Sequence, residues 1–477
     1  MARAEITSNA DHRSGHLGPA SLTTRGVLGQ TLAIGPIFSA AFLAGTVAVF
    51  AGFNTPLSVL LAGLGTLGLA YALVLYGRRF AGAGGVHEYL RRGVHPSVGV
   101  VGGGAYLLGL LFLGAGGGFV AAGYLMNDLL RSELSLDFGW WVWALVFLVV
   151  VIGVNYTGVR AGIGAIAVTA AISAVPLAVV AVAIIAEGGA DGNTLAVFDP
   201  SRTSWNAVFH GILFAVSLFI GFEAVAALGE EARLPRHSIP IAVISSVAIG
   251  LAFYLVVTYA GAIGFGEEAL RENAWFASGN PFGELGERYV GSSLDWIVSL
   301  AIILDLLSVL IAFTLAASRL LMALAREGLL PRPVARTSPR FHSPVGGLAV
   351  IAVWALLVML WAGLTRSGDA VGLPNVLQAI LILSATGSYL IALVYLLLAG
   401  GALWLLWSDR DRAGLWWRVP VVLAGVAVPS LSFDGSLNPF PDPPNDVGFY
   451  FACAGLGLSV LWYAALRLFR RDALRAR

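Results

Sequence analysis

SLFIGFEAVAALGEEARLPRHSIP, Ser217–Pro240, is the stretch on which the reading of this chain turns. Its first half continues an apolar run that begins near Trp205, yet that run holds an acid, Glu223, two residues after Gly221. Its second half turns abruptly to charge and is punctuated by Pro235 and Pro240. A charged acid at mid-bilayer costs about 2.5–3.5 kcal/mol on insertion scales, so such a group faces protein or water and has a task. Glycine weakens a helix at the same place. The stretch therefore reads as an interrupted transmembrane helix followed by its exit from the membrane.

The rest of the chain agrees. Its 477 residues are 58% hydrophobic and 12% charged, with a mean hydropathy of +0.84. Repeated apolar stretches reach the roughly 20 residues a helix needs to cross a bilayer. The fold class is an all-α polytopic membrane protein. Twelve spans are expected, at about 27–51, 55–77, 97–127, 139–159, 162–186, 205–229, 240–264, 293–318, 344–363, 374–400, 414–432 and 447–468, the tenth with room to continue towards Trp407.

Arginine placement tests this count, because all 28 basic residues are arginine. With the N-terminus inside, 23 of them fall in cytosolic segments and 5 (Arg131, Arg202, Arg271, Arg288 and Arg366) in outer ones. The positive-inside rule then puts both termini in the cytosol. The all-arginine usage suits a GC-rich genome, and the location expected for such a chain is the cytoplasmic (inner) membrane of a bacterium, as a multi-pass protein. The polar start, residues 1–26, lacks the apolar core of a signal peptide and reads as a cytosolic tail. The lone Cys453 excludes an internal disulfide or a thiolate metal cluster, and no nucleic-acid signature is present. The acidic loop after the seventh span is expected to carry a short helix.

A second interruption matches the first. Span one reads VLGQTLAIGPIFSAAFLAGTVAVF, in which Pro36 lacks a backbone donor and Gly35 weakens the helix beside it. Spans one and six are equivalent if spans 1–5 and 6–10 form two repeats, and broken helices at matching places point to a transporter's central site. Freed N–H groups at a break suit a carboxylate, and freed carbonyls suit an ammonium group or cation. Ile34, Gly35, Ile37, Phe38 and Ser39 in span one, with Ser217, Leu218, Phe219, Gly221 and Phe222 in span six, are the candidate substrate-binding residues.

FIGFEAVAALGEEARLPRHSIPIAV resembles the sixth-helix signature of the amino acid–polyamine–organocation superfamily, a G-F-E followed by E-E and I-P. SRLLMALAREGLLPRPVARTSPRFHSPVGGL, Ser318–Leu348, is similar to that family's loop after helix eight, and AGAGGVHEYLRRGVHPSVGVVGG to its loop between helices two and three. The resemblance implies a LeuT-type fold, with five-plus-five inverted repeats over residues 27–400, two further helices over 401–468 and a cytosolic tail over 469–477. It implies secondary active transport of amino acids or related amines, without enzymatic activity or cofactor, and aromatic gates at Phe219 or Phe222. Two departures stand out. Span one has IGPIF where many members have a G-S-G-like break, and span five lacks the lysine that some proton-coupled relatives carry.

Glu223 and Asp305 are the two acids well inside spans and the candidate proton carriers, each with a structural hydrogen-bonding role as the alternative; Asp305 is also a candidate to bind a cationic substrate or to help hold sodium. Ser308 and Thr314 are candidate sodium-ligand oxygens, although membrane hydroxyls commonly bond their own backbone. Glu230, Glu231, Arg233 and Arg236 form either a solvated anchor or an ion-pair gate. His87 and Glu88 are expected at the surface, and His210 has no special role. GAGGG, 114–118, serves close helix packing; with Tyr106, Ser384 and Thr386 it also leaves room for substrate. The function expected is alternating-access import of an amino acid or amine with H+ as coupling ion. An exchanger, a sodium symporter and a transporter-like sensor are the alternatives. Partners are the small-molecule substrate and the lipid bilayer, and oligomeric state is not legible.

Overall fold

The computed structural model describes residues 22–29, 43–80, 82–278, 280–291, 294–364, 375–408, 414–438, 440 and 445–470. Among them, nine helices are long and apolar enough to cross a membrane, and two shorter apolar helices accompany them. These cover expected spans two to twelve. Span one is described at its ends alone, as α1 (Thr24–Gly29) and α2 (Ala44–Ala51). Its expected break, Ile34, Gly35, Pro36, Ile37, Phe38 and Ser39, lies outside the described residues.

Local chemistry sets the boundaries. A short 3₁₀ turn, Gly52–Asn54, leads into α3 (Thr55–Gly77), which has Pro56 in its first turn, where no helical donor is lost. The short α4 (Val86–Gly93) lies between spans two and three. Span three is α5 (Pro96–Phe112), a π-helical turn over Leu113–Gly118 and α6 (Phe119–Leu134). At that turn Trp354 Nε1 donates to the Leu111 carbonyl at 2.9 Å, where the regular ladder changes register. α7 (Trp140–Tyr156) and α8 (Val159–Glu187) follow.

Span six is broken. α9 (Trp205–Ala215) is capped by Ser204, whose hydroxyl accepts from Ala207 N at 3.0 Å. It tightens into a 3₁₀ segment, Val216–Phe219, and stops at Ile220. Gly221 turns the chain with φ +114°, a conformation that side chains rarely adopt. A second 3₁₀ segment, Phe222–Leu228, completes the crossing.

The later spans are longer than the hydropathy suggests. α10 (Pro235–Phe265) begins at the first proline of the signature rather than at Pro240. Three short helices, α11 (Glu267–Arg271), α12 (Ala274–Ala277) and α13 (Pro281–Tyr289), replace the single one expected in the acidic loop. Trp275 anchors them: it is fully buried, stacked on Phe265 and edge-on to Phe282. α14 (Leu294–Arg326) extends eight residues past its expected end at 318, its apolar face continuing beyond Arg319 as far as Ala325. α15 (Val345–Leu364) follows, and α16 (Asn375–Ser408) continues past Trp407. α17 (Leu415–Leu437) and α18 (Asn445–Phe469) complete the bundle.

Packing follows the small residues. Gly68 on α3 meets the backbone of Val421 and Gly425 on α17, an approach that a Cβ on either glycine would block. A Cβ at Gly114 would lie 2.7 Å from the Phe313 ring, and one at Gly118 2.7 Å from Leu310. GAGGG therefore does serve close packing, but at Gly114 and Gly118 the room left for a substrate is filled by α14. The Thr386 hydroxyl is shared between backbone carbonyls, Ile382 O of its own helix at 2.7 Å and Gly448 O of α18 at 3.2 Å.

Candidate functional site

The break in span six surrounds Glu223. Glu223 is 1% exposed. Oε2 accepts from Gly221 N at 3.1 Å and from the Tyr395 hydroxyl at 2.6 Å, and Oε1 accepts from the Tyr106 hydroxyl at 3.2 Å. Tyr106 comes from α5 and Tyr395 from α16, so three spans converge on one carboxylate. The N–H freed by the break is thus taken by the chain's own acid. The carbonyls are partly taken as well. Leu218 O accepts from the Tyr254 hydroxyl of α10 at 2.7 Å, and Ser217 O from Ile220 N at 3.3 Å. Buried acceptors and donors rarely stay unpaired, and here side chains from neighbouring spans complete the interrupted ladder.

The other candidates fall around this centre. Leu218, Phe219 and Phe222 are buried. Phe219 packs edge-on against Tyr254 at 5.1 Å, and Phe222 is tilted against Tyr395 at 5.6 Å. Ser217 donates its hydroxyl to Phe214 O at 2.6 Å. Asp305 is fully buried on α14. Ser308, one turn further on, shares a hydrogen bond of 2.5 Å with Thr169 of α8 and donates to Leu304 O at 3.3 Å. Thr314 is buried on the same helix. At about 100° per residue it points about 120° away from Ser308, so the two hydroxyls occupy different faces.

The charged end of the signature is an ion-pair cluster. Arg319 of α14 forks onto Glu231, Nε to Oε2 at 2.5 Å and Nη2 to Oε1 at 2.8 Å, with side chains 3% and 7% exposed. Glu230 accepts from Arg326 at 2.8 Å in a more open setting. Arg233 and Arg236 are exposed. Leu22 pairs in parallel with this segment: its N–H donates to Glu231 O, and Arg233 N donates to its carbonyl, both at 2.9 Å. Beside it, Thr24 and Ser238 share a hydrogen bond of 2.9 Å. Sequence reasoning missed Arg319, Tyr106 and Tyr395 as partners. An arginine inside AASRLLMALAR was a signal for the first; nothing local marked the tyrosines.

A further expectation is overturned. His87 and Glu88 are not surface residues: His87 is fully buried and Glu88 is 8% exposed. α4 is not a solvated connector but folds into the arginine-rich end of the bundle, where Gly85 lies against the backbone of Ala226 and Ala227. Burial pushes the Glu88 carboxyl above the ordinary range, with Arg92 opposing and Glu327 and Glu230 adding to the rise.

Apolar helices crossing a membrane, one of them broken around a buried carboxylate, define a polytopic helical membrane protein with a polar centre. The family description "Amino acid permease" matches residues 27–459, and the chain belongs to that family, in keeping with the superfamily resemblance in its motifs. An uncharacterised transporter of Mycobacterium tuberculosis is 30% identical over 268 residues, covering 54% of this chain and 59% of the relative. The match thus spans less than two thirds of that relative's length. The branched-chain amino acid permease of Lactococcus lactis is 27% identical over 32% of each chain. Human cationic amino acid transporter 4 is 30% identical over 33% of this chain and 24% of its own.

Proposed function

We propose that this chain is a secondary active transporter that imports an amino acid by alternating access, with a proton as coupling ion. In this reading the bundle is a LeuT-type core of two inverted repeats over residues 27–400, followed by two further helices, with its arginine-rich end in the cytosol. Substrate binds where the two breaks meet, against Ile34, Gly35, Ile37, Phe38 and Ser39 on one side and Ser217, Leu218, Phe219, Gly221 and Phe222 on the other.

The observation that carries the reading is the convergence of Tyr106, Tyr395 and Gly221 N on Glu223. Three donors fit an ionised carboxylate, which only accepts. A proton added to Glu223 turns one accepting oxygen into a donor and loosens the tie between spans three, six and ten. Proton binding and helix position are thereby linked through one group. Asp305 is the second candidate for the same task, and Ser308 and Thr314 belong to the sodium alternative. Their separation on α14 favours the proton.

The substrate follows from the same geometry. Glu223 already accepts from three donors. A cationic side chain would have to displace existing partners, so the site suits an amino acid with an uncharged side chain. Among the named relatives, the branched-chain permease fits this chemistry better than the cationic transporter. The test is uptake in proteoliposomes under an imposed pH gradient. Branched-chain substrate should accumulate with an acidic exterior, lysine should not compete, and Glu223→Gln should abolish the gradient dependence. Full gradient dependence in that variant removes Glu223 from the mechanism.

A further inference from the structure

His87 is fully buried, and both of its ring nitrogens face acceptors. Nδ1 lies 2.7 Å from the Gly99 carbonyl oxygen on α5, and Nε2 lies 2.9 Å from Glu327 Oε2, one residue past the end of α14. A carbonyl oxygen cannot donate, and neither can an ionised carboxylate. A neutral imidazole has one N–H and would leave a lone pair facing an oxygen at one contact. An imidazolium satisfies both.

The surroundings fit a positive ring. Glu327 is also held by Arg91 Nη1 at 2.6 Å. Desolvation raises the Glu327 carboxyl, but its hydrogen bonds and the Arg91 guanidinium beside it help to hold the group below the ordinary range, where it only accepts. From its own helix His87 is also flanked by Glu88, which pairs with Arg92 at 3.2 Å. Glu230, at the end of span six, acts on the neighbouring Glu88 and pairs with Arg326 of α14. α5 offers its Gly99 carbonyl and the bare backbone of Gly103, where a Cβ would lie 2.5 Å from His87 Nδ1.

We propose that His87 is a positioning residue that carries a proton between α5 and the end of α14 and so fastens α4 against the arginine-rich end of span six. Removing the proton leaves one of the two contacts repulsive and releases α4, which covers the second half of the broken span. Acid on that side keeps the end shut, and alkali lets it open. If the transport reading is right, rising cytosolic acidity slows an importer that brings protons in. The proton site itself does not depend on that reading.

Two measurements test it without any transported substrate. In the full chain labelled with ¹⁵N-histidine in nanodiscs, one of the seven histidines should show both ring nitrogens protonated at pH 7, and Glu327→Gln should return it to a neutral tautomer. Seven neutral histidines at pH 7, or an imidazolium indifferent to Glu327→Gln, overturn the proposal. The second measurement places a reporter cysteine at Ala83, 1% exposed beside α4, in a Cys453→Ala background. Its maleimide labelling is compared with a cysteine at exposed Arg236. The Ala83→Cys rate relative to that control should rise with pH, approaching tenfold per unit, the limit for one titrating proton, and should be flat in Glu327→Gln. A constant ratio in the parent protein would also overturn it. Loss of transport with both results intact would count against the transport reading alone.

Discussion

The Tyr395 hydroxyl donates to Glu223 Oε2 at 2.6 Å across 172 positions of sequence, tying span ten to the break in span six. With Glu223 ionised as proposed, the bond is one to a charged group, and such bonds contribute about 1.5–3 kcal/mol, more than neutral ones. Tyr395→Phe should therefore lower stability by about that amount, while Tyr106→Phe, whose contact is longer at 3.2 Å, should cost less. Chemical or thermal unfolding in detergent checks the order. A larger loss at Tyr106 would place the tighter tie on span three instead.

The Glu231–Arg319 fork is a buried pair, and breaking one partner leaves the other as an uncompensated charge. Glu231→Ala or Arg319→Ala should each cost about 3–5 kcal/mol. The double change Glu231→Leu with Arg319→Met should recover most of that loss, because apolar replacement of a whole buried pair is often neutral. Additive losses in the double variant would show that the two residues act separately.

Gly221 carries φ +114° at the turn between the two 3₁₀ segments. Gly221→Ala forces a side chain into that region at a cost of about 1–3 kcal/mol. It also moves the N–H that Glu223 accepts from, so unfolding should come earlier and uptake should fall. A variant with parental stability and uptake would mean that the turn tolerates a helical geometry.

Glu88 is buried with its carboxyl pushed above the ordinary range by desolvation. Its ionised form is thus disfavoured by folding, a penalty present above the folded-state pKa and absent below the unfolded value of about 4.3. Glu88→Gln should raise Tm at pH 8 and leave it unchanged near pH 4. Paired melts at the two pH values decide; a drop at pH 8 would mean that the Arg92 contact outweighs burial.

Much of this was legible in the chain alone. Hydropathy over about 20 residues located spans two to twelve, because crossing hydrocarbon demands a continuous apolar helix whatever its neighbours. The FIGFE stretch announced its own break: a glycine free to take positive φ beside an acid leaves few other readings. Helix ends were less legible where they leave the membrane. α14 overran its expected end because Arg319 and Arg326 are stabilised by glutamates from another span, and hydropathy counts them simply as charge. His87 and Glu88 were misplaced for the same reason, since a polar helix between two spans looks solvated until the bundle folds over it.

The sequence by itself determined that this is a many-helix membrane protein of the amino acid permease family, interrupted at Gly221 and carrying an acid there. Those properties follow from local composition and backbone freedom. The tertiary structure alone decided what the acid meets. Tyr106 and Tyr395 reach Glu223, Arg319 reaches Glu231, and Glu327 reaches His87 across 240 positions. A buried polar group takes its partner from whichever helix packs beside it, and that neighbour is set by the three-dimensional bundle rather than by the residues adjacent in the chain.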